Sequence, residues 1–283
     1  MLTNSIWLNG RLVQPQDAHL GVSDHGITVG DGVFETIAVR DGVAIARTRH
    51  LQRLLWCAQQ MGMAAPEMQQ VEQAVSEVLA ACDDASRAQG RMRITWTSGD
   101  GPLGSARGPG PGSLIVWVEP AVAWPASSRI AVCPWPRNER AAVAGVKSTS
   151  YAENVVALAW AKEHGVDEAV FLDTRGFLSE GTGSNLLLAL HGKLVTPALS
   201  TGCLAGITRA LVLETSEVDE VEVDESALAQ CTGAAVLSST RDVHPVSWIR
   251  MSDGQTRDFD AVDSLIAAAS QALSQLYAEN SNP

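Results

Sequence analysis

The spacing of apolar and polar residues predicts hairpins and helices in the first half of the chain. Apolar residues alternate with polar ones in residues 5–13 (SIWLNGRLV), which turn at Asn9-Gly10. Residues 32–46 (GVFETIAVRDGVAIA) are predicted to form a second hairpin that turns at Asp41-Gly42. Alternation around such pairs is typical of β-hairpins. Helical spacing follows over 48–63 and 68–85, and strands are predicted over 91–99 and 113–121. The first half is therefore predicted to be an α+β domain, spanning residues 1–119.

The second half has a different pattern, beginning after a stretch rich in proline and small residues. We predict a linker over 120–129 and a second domain over 130–283. Helical spacing predicts helices over 153–164, 207–216 and 260–279. Apolar runs predict strands over 168–176, 185–197 and around 234–240. Two domains fit the length of 283 residues.

Composition and charge narrow the range of partners. The formal net charge is −12 and the sequence pI is about 4.9, which argues against nucleic acid and anionic membranes as partners. The N-terminal sequence lacks the basic start and apolar core of a signal peptide, and cytoplasmic localisation is expected. Five scattered cysteines without CxxC spacing suggest neither a disulfide framework nor a metal site. The expected partner is a small-molecule substrate.

Lys147 is the first lysine of the chain and one of only three, among 20 lysine and arginine residues. A preference for arginine codons explains the general scarcity of lysine. Lys147 stands in AGVKSTSYAEN (144–154), among small, hydroxyl-bearing and aromatic residues rather than on a charged helical face. Arginine cannot replace lysine where a neutral amine must act as nucleophile or base. Lys147 is therefore a candidate for imine formation with an aldehyde.

Two downstream segments add a carboxylate and an anion site. Glu180 lies in a turn rich in glycine and serine, and GCLAGITR (202–209) leads directly into a predicted helix. A helix start presents free N–H groups to an anion, and Thr208 adds a hydroxyl there. Each feature has an ordinary structural explanation as well, a solvated turn carboxylate and a common glycine-to-helix junction.

Five motifs in order resemble those of the class IV pyridoxal-phosphate aminotransferases. They are GDGVFET (30–36), HLQRL (50–54), KSTSYAENV (147–155), LSEGTGSNLL (178–187) and LAGITR (204–209). This family includes branched-chain and D-amino-acid aminotransferases and aminodeoxychorismate lyases. The resemblance implies an α+β, two-domain, fold-type IV enzyme with a sandwich-like first domain, a pseudo-barrel second domain and the cofactor in the cleft between them.

The resemblance also implies roles for individual residues. Lys147 would form the Schiff base with pyridoxal 5′-phosphate, and Glu180 would keep the pyridine nitrogen protonated. Tyr151 would hydrogen-bond the phenolic oxygen of the cofactor. The residues implied in phosphate binding are Arg53, Ile207, Thr208, Ser239 and Thr240.

Two local features bear on the reaction. Thr36 follows Phe34-Glu35 where branched-chain enzymes have glycine, and the loop at 97–112 resembles that of lyase-type members. They favour a 4-amino-4-deoxychorismate lyase that forms 4-aminobenzoate and pyruvate for folate synthesis, with Thr36 as a catalytic hydroxyl. The alternatives are an aminotransferase acting on D-amino acids, branched-chain amino acids or amines, and a ligand-binding relative without turnover. Three arginines are candidates for binding a substrate carboxylate, although surface positions explain them equally well: Arg91, Arg93 and Arg107.

The resemblance further implies a homodimer, and SDHGITVG (23–30) is the segment that we expect at its interface. His25 in this segment has no metal-ligand partner at useful spacing, so it is predicted to be a structural or interface residue.

Overall fold

The computed structural model describes residues 4–283, which divide into two compact units. The first comprises residues up to Val122, together with Val146–Tyr151 and Asn280–Pro283; the second comprises Ala123–Gly145 and Ala152–Glu279. The domain division predicted above assigns both Lys147 and Asn280–Pro283 to the second domain, whereas the structure groups them with the first unit. The structure also changes unit between Val122 and Ala123, inside the predicted linker over 120–129. The structure groups Val146–Tyr151 with the first unit, since this segment pairs with a strand there through a bridge between Val33 and Ser148.

The first unit is built on an antiparallel sheet of six strands in the order β2-β1-β6-β5-β3-β4. Its strands are β1 (Ile6–Leu8), β2 (Arg11–Val13), β3 (Gly32–Arg40), β4 (Val43–Ala44), β5 (Gln89–Thr97) and β6 (Ser113–Pro120). Its helices are α1 (His25–Thr28), α2 (Arg47–Gln60), α3 (Met68–Ala81) and α4 (Asp84–Ala88), and a 3₁₀ turn spans Pro15–Asp17. Both predicted hairpins and both longer predicted helices are confirmed.

Helices α2 and α3 cover one face of this sheet. Their buried residues pack with the inward side chains of β3, β5 and β6 into one core that includes Leu51, Leu54, Val75, Ile37 and Met92. The first turn of α2 lacks a side-chain cap from its own N-cap residue, Ala46. Asn282 supplies one instead, because its Oδ1 accepts the N–H of Thr48 at 2.8 Å.

The second unit contains a mixed sheet of nine strands in the order β12-β11-β10-β13-β14-β7-β8-β9, with β15 paired to β14. Its strands are β7 (Ser128–Val132), β8 (Glu168–Leu172), β9 (Leu178–Gly181), β10 (Asn185–Leu190), β11 (Lys193–Pro197), β12 (Val218–Val221), β13 (Gly233–Ser238), β14 (Asp242–Arg250) and β15 (Thr256–Asp258). Its helices are α5 (Ala152–Glu163), α6 (Ile207–Thr215), α7 (Ser226–Gln230) and α8 (Ser264–Glu279), and a second 3₁₀ turn spans Leu199–Thr201.

This sheet curls on itself, because β9 at one end of the order contacts β10 and β11 near the other end. The α+β class and the pseudo-barrel expected for the second unit are confirmed. The single strand predicted over 185–197 is wrong, since the structure has two strands joined at His191-Gly192. Both turn residues have positive φ, 52° and 78°, which is the conformation of a tight hairpin turn. No helix in the described part of the chain has the length and hydrophobicity that a membrane crossing needs.

Candidate active site

The backbone of Lys147 is fixed on two sides within the first unit. Its carbonyl oxygen accepts the N–H of Phe34 on β3 at 3.0 Å. Its own N–H donates to Sγ of Cys57 on α2 at 3.4 Å, and this thiol is 1% exposed. A strand and a helix of one packed core therefore determine where the lysine leaves the backbone.

The side chain of Lys147 is half-buried beside two aromatic rings. Its Nζ lies 4.4 Å from the centroid of the Phe34 ring and 5.8 Å from that of Tyr151, and the two rings meet edge to face at 5.2 Å. Aromatic faces attract an amine in its charged form and offer it little water. Tyr151, predicted to act beside Lys147, is thus brought next to it, whereas Phe34 was not predicted as a contact residue.

Arg93 stacks on the same phenylalanine. Its Cζ lies 3.4 Å from the Phe34 centroid, and its Nη1 donates to Oγ1 of Thr36 at 3.3 Å. Burial lowers the pKa of Arg93 to about 10, which still leaves the guanidinium charged at neutral pH. Among residues 4–283 Arg93 has no carboxylate within ion-pair distance. Of the three arginines predicted for substrate binding, Arg93 alone shares an aromatic contact with the lysine in the described structure.

Arg53, predicted to bind phosphate, belongs to a buried cluster with Glu35 and His50. Its Nε and Nη2 both donate to Glu35 at 2.7 Å, and His50 Nδ1 lies 2.7 Å from the same carboxylate. Burial is the largest single influence on Glu35 and would raise its pKa, but the charges and hydrogen bonds of Arg53 and His50 together outweigh burial and hold the pKa at about 2. Burial is also the largest influence on His50, and together with the charges of Arg53 and Lys147 it lowers the pKa of this ring despite the nearby Glu35 carboxylate. The Nδ1–H of His50 donates to that carboxylate. The Arg53 guanidinium is held rigidly in this cluster.

The other two candidate arginines, Arg91 and Arg107, each form an ion pair with a carboxylate of the protein. Arg91 lies on β5 with its side chain 45% exposed and is paired with Glu119. Arg107 donates to both oxygens of Asp31, at 2.6 and 2.7 Å, and to the carbonyls at 61 and 62. Arg107 therefore attaches the loop at 97–112 to the end of α2. This structural role was not predicted from the sequence.

In the second unit, Glu180 on β9 holds the loop that precedes α6. Its Oε2 accepts the N–H of Leu204 at 2.9 Å, while its Oε1 lies 3.3 Å from Nη2 of Arg137. Asn185, on the next strand, donates to the carbonyl of the same Leu204 at 2.8 Å. Two residues of the predicted motif 178–187 thus orient the predicted motif 204–209. Arg137 was not predicted, and no motif or spacing in the sequence marks it.

The N-terminus of α6 has the properties of an anion site. Its N-cap residue is Gly206, which contributes no side-chain cap, and a Cβ there would lie only 2.0 Å from Oδ1 of Asn185. The first N–H groups of a helix, here those of Ile207 and Thr208, have no intrahelical acceptor. The Thr208 hydroxyl is buried and has no hydrogen-bond partner among the residues that the structure describes. Such a group is costly unless a ligand satisfies it.

Ser239 and Thr240 lie in the turn between β13 and β14. Arg241 supports this turn, since its Nε donates to Oγ of Ser238 at 3.2 Å and its Nη2 pairs with the buried Glu168 at 2.5 Å. The turn is therefore held rigidly, and both hydroxyl residues are half-buried in it.

Within each unit, the groups described above suit a different part of pyridoxal phosphate. The orphaned Thr208 hydroxyl and the helix N-terminus suit a phosphate, and Glu180, fixed on both oxygens, suits a protonated ring nitrogen. The half-buried amine of Lys147 suits an aldehyde.

Comparisons with known proteins lead to one family. The model of the family described as amino-transferase class IV matches residues 32–249. The chain is 33% identical over 227 residues to a protein of Methanocaldococcus jannaschii assigned as a branched-chain-amino-acid aminotransferase, covering 79% of this chain and 78% of that one. It is 29% identical over 248 residues to the bifunctional aminodeoxychorismate lyase / D-amino acid transaminase of Mycobacterium tuberculosis, covering 79% and 81%. A fold IV-transaminase of Curtobacterium pusillum superposes with a TM-score of 0.82 at 26% identity, covering 95% and 99%.

Proposed function

Since the chain belongs to the class IV amino-transferase family, we propose that it is an aminotransferase that moves the amino group of an aliphatic amino acid to a 2-oxo acid. The family depends on pyridoxal phosphate. The names of the relatives favour transamination over the lyase reaction predicted above, because several of them are branched-chain-amino-acid aminotransferases matched over about four fifths of this chain. The Mycobacterium tuberculosis relative is also named as a D-amino acid transaminase.

One observation in the structure carries this proposal: Lys147 and Arg93 contact the same aromatic ring. Transamination needs an amine that moves a proton and a cation that holds a carboxylate, because both the amino acid and the 2-oxo acid have an α-carboxylate. Arg93 remains charged at neutral pH and has no carboxylate partner in the described part of the chain. A substrate carboxylate is the partner that we propose for it.

The proposed cofactor residues are those predicted from the sequence. Lys147 would bind the aldehyde carbon, Tyr151 would hydrogen-bond the phenolic oxygen and Glu180 would hold the ring nitrogen. The phosphate is assigned to the N–H groups of Ile207 and Thr208, the Thr208 hydroxyl, Arg53, Ser239 and Thr240. When bound, pyridoxal phosphate supplies an aldehyde that condenses with amines and a ring that accepts electrons from the substrate α-carbon.

The chain itself supplies proton transfer and orientation. We assign to Nζ of Lys147 the transfer of the proton from the substrate α-carbon, since general bases act at hydrogen-bond distance from the proton they remove. Phe34 and Tyr151 shield this amine from water and limit its movement. Arg93 orients the substrate through its carboxylate, and Thr36 orients Arg93 by accepting an N–H from Nη1.

A second candidate is the 4-amino-4-deoxychorismate lyase reaction. The contact between Thr36 and Arg93 favours it, because it places a hydroxyl beside the proposed carboxylate-binding group. In that reaction Thr36 would donate a proton to the departing enolpyruvyl group while Lys147 removes the α-proton.

The test is a set of parallel assays on the purified protein loaded with pyridoxal phosphate. L-leucine, L-valine and D-alanine are each supplied with 2-oxoglutarate, and 4-amino-4-deoxychorismate is supplied alone. Formation of 2-oxo acid and glutamate without 4-aminobenzoate supports the aminotransferase, and the L or D preference then identifies the substrate series. Formation of 4-aminobenzoate and pyruvate without transamination overturns it in favour of the lyase. A Lys147→Ala variant is the control and should show neither reaction.

A further inference from the structure

We propose that Arg137 is a positioning residue for Glu180, fixing its carboxylate in the orientation that holds the cofactor ring nitrogen. The inference deepens the proposed function and rests on it, because it assumes that Glu180 faces that nitrogen. Arg137 precedes Lys147 by ten residues and lies in a loop with no sequence signal of function.

Each oxygen of Glu180 has its own partner. Oε2 accepts a backbone N–H from Leu204 at 2.9 Å, and Oε1 lies 3.3 Å from Nη2 of Arg137. The side chains of both ion-pair partners are 13% exposed, so water competes little for this contact. A carboxylate on a short strand, held at both oxygens, cannot rotate freely about its last torsion angle.

Arg137 itself is anchored on several elements. Its backbone N–H donates to the carbonyl of Leu172 at the end of β8, at 2.7 Å. Its Nη1 donates to Asn154 at 3.2 Å and to Glu153 at 3.1 Å, both in the first turn of α5. Its Cζ lies 4.2 Å from the centroid of the Phe171 ring on β8. The guanidinium is therefore positioned by β8 and α5, independently of Glu180.

The anchoring continues beyond Arg137. Asn154 is buried and donates through Nδ2 to the carbonyl of Thr182 at 2.6 Å, immediately after β9. The N–H of Thr182 donates to the buried Glu168 at 2.7 Å. Arg137 thus holds the side chain of Glu180 on β9, and Asn154, which is bonded to Arg137, holds the backbone of Thr182 just after this strand.

The contact between Arg137 and Glu180 also bears on the proposed chemistry of the carboxylate. A carboxylate that holds a proton on a ring nitrogen must be ionised and aligned with the ring. The guanidinium stabilises the negative charge of Glu180 and fixes the direction of its Oε1. A neutral hydrogen-bond donor in its place would supply the direction without the charge.

The test measures pyridoxal phosphate affinity by equilibrium titration, following the absorbance of the bound cofactor, with thermal unfolding of each variant in parallel. Arg137→Gln should weaken affinity by about tenfold, and Arg137→Lys, which keeps the charge, by about threefold, on the scale of one charge-assisted contact. Arg257→Gln is the matched control, since Arg257 is also partly buried, donates to a backbone carbonyl and packs on a phenylalanine. It should change affinity by less than about twofold.

A double-mutant cycle separates positioning from general support of the fold. In a Glu180→Gln background, Arg137→Gln and Arg137→Lys should each change affinity by less than about twofold, because the carboxylate that they act on is gone. A cofactor analogue with carbon in place of the ring nitrogen should likewise bind to wild type and Arg137→Gln with similar affinity. Arg137 is structural and the inference is overturned if its substitution lowers cofactor affinity equally with Glu180 and with Gln at position 180. The same holds if Arg137→Gln weakens binding of the analogue as much as binding of pyridoxal phosphate. If Arg137→Gln does not fold, the Arg137→Lys arm of the cycle decides. Wild-type protein that binds no pyridoxal phosphate would instead refute the proposed function.

Discussion

Sγ of Cys57 accepts the backbone N–H of Lys147 at 3.4 Å, so a buried thiol on α2 attaches the lysine segment to the helix that also carries Arg53. The two residues are separated by 90 positions in the chain. Cys57 lies four residues after Arg53, on the same side of the helix. One helix therefore positions both the proposed amine and one of the proposed phosphate ligands.

Replacing Cys57 should loosen the lysine segment. Cys57→Ala leaves the Lys147 N–H without an acceptor in a buried place and should lower the free energy of unfolding by about 1–3 kcal/mol. Cys57→Ser keeps an acceptor and should cost clearly less. Denaturant unfolding measures both, with Cys82→Ala as control, since the Cys82 thiol donates to the carbonyl of Leu79 and does not contact the lysine segment in the described structure. Equal losses for Ala and Ser at position 57 would contradict the role of the thiol as acceptor.

Thr208→Val should change stability and cofactor affinity in opposite senses. Valine has the shape of threonine and removes a buried hydroxyl that is unpartnered in residues 4–283, so the cofactor-free protein should keep or raise its melting temperature. Affinity for pyridoxal phosphate should fall about tenfold, because the phosphate loses a donor. Thr196→Val serves as control. The Thr196 hydroxyl already donates to the carbonyl of Leu186 at 2.7 Å, so its loss should reduce stability and leave affinity unchanged. A Thr208→Val protein with unchanged affinity would remove Thr208 from the phosphate site.

The buried cluster of Glu35, His50 and Arg53 should make the free energy of unfolding depend on pH. The folded pKa of Glu35, about 2, lies below its ordinary value of 4.5, so this carboxylate stabilises the fold above about pH 4.5 and the contribution is lost as pH falls towards 2. For this one group the loss between about pH 5 and pH 3 is roughly 2 kcal/mol. The measurement is the free energy of unfolding across this range for wild type and a Glu35→Gln/Arg53→Met variant. The variant should show a shallower slope by this amount, and parallel slopes would refute the assignment.

Arg107 should control the mobility of the loop over 100–112 without binding substrate. The hydrogen bond from Arg107 is the main cause that lowers the pKa of Asp31, and the same guanidinium binds two carbonyls at the end of α2. Arg107→Gln should therefore speed amide hydrogen exchange in the loop by about tenfold, with little change in KM. Arg91→Gln breaks an exposed ion pair, worth less than about 1 kcal/mol, and should alter neither property. A large rise in KM for either variant would instead indicate that the substituted arginine binds substrate.

Arg93 should contribute to the binding of substrates that have a carboxylate. Arg93→Met should raise KM for amino acids and 2-oxo acids by about tenfold or more, since a buried charge-assisted contact is lost. The KM of an amine donor that lacks a carboxylate should rise much less. This KM is measured in the half-reaction between the amine and the pyridoxal-phosphate-loaded protein. Similar losses for both donors would mean that Arg93 acts by supporting Phe34 and not by binding substrate.

The elements with a strong local signal were predictable from the sequence. The turn pairs Asn9-Gly10 and Asp41-Gly42 and the apolar spacing in α2 and α3 depend on neighbouring residues alone, so the hairpins and helices were predictable. Short elements such as α1, α4 and β12 have too few residues for a period to show. The turn at His191-Gly192 was missed because the apolar runs on both sides read as one strand.

The sequence by itself determined the family, the order of the motifs and the chemical types of the candidate site: an amine, a carboxylate, a fixed cation and a helix start. These follow from residue identity and local spacing, which are known from the sequence without knowledge of the fold. Only the tertiary structure decided that Cys57 holds Lys147, that Arg137 holds Glu180 and that Arg107 is occupied by Asp31. The physical reason is that each of these contacts joins segments far apart in the chain, and its geometry depends on how strands and helices pack, which no local pattern encodes.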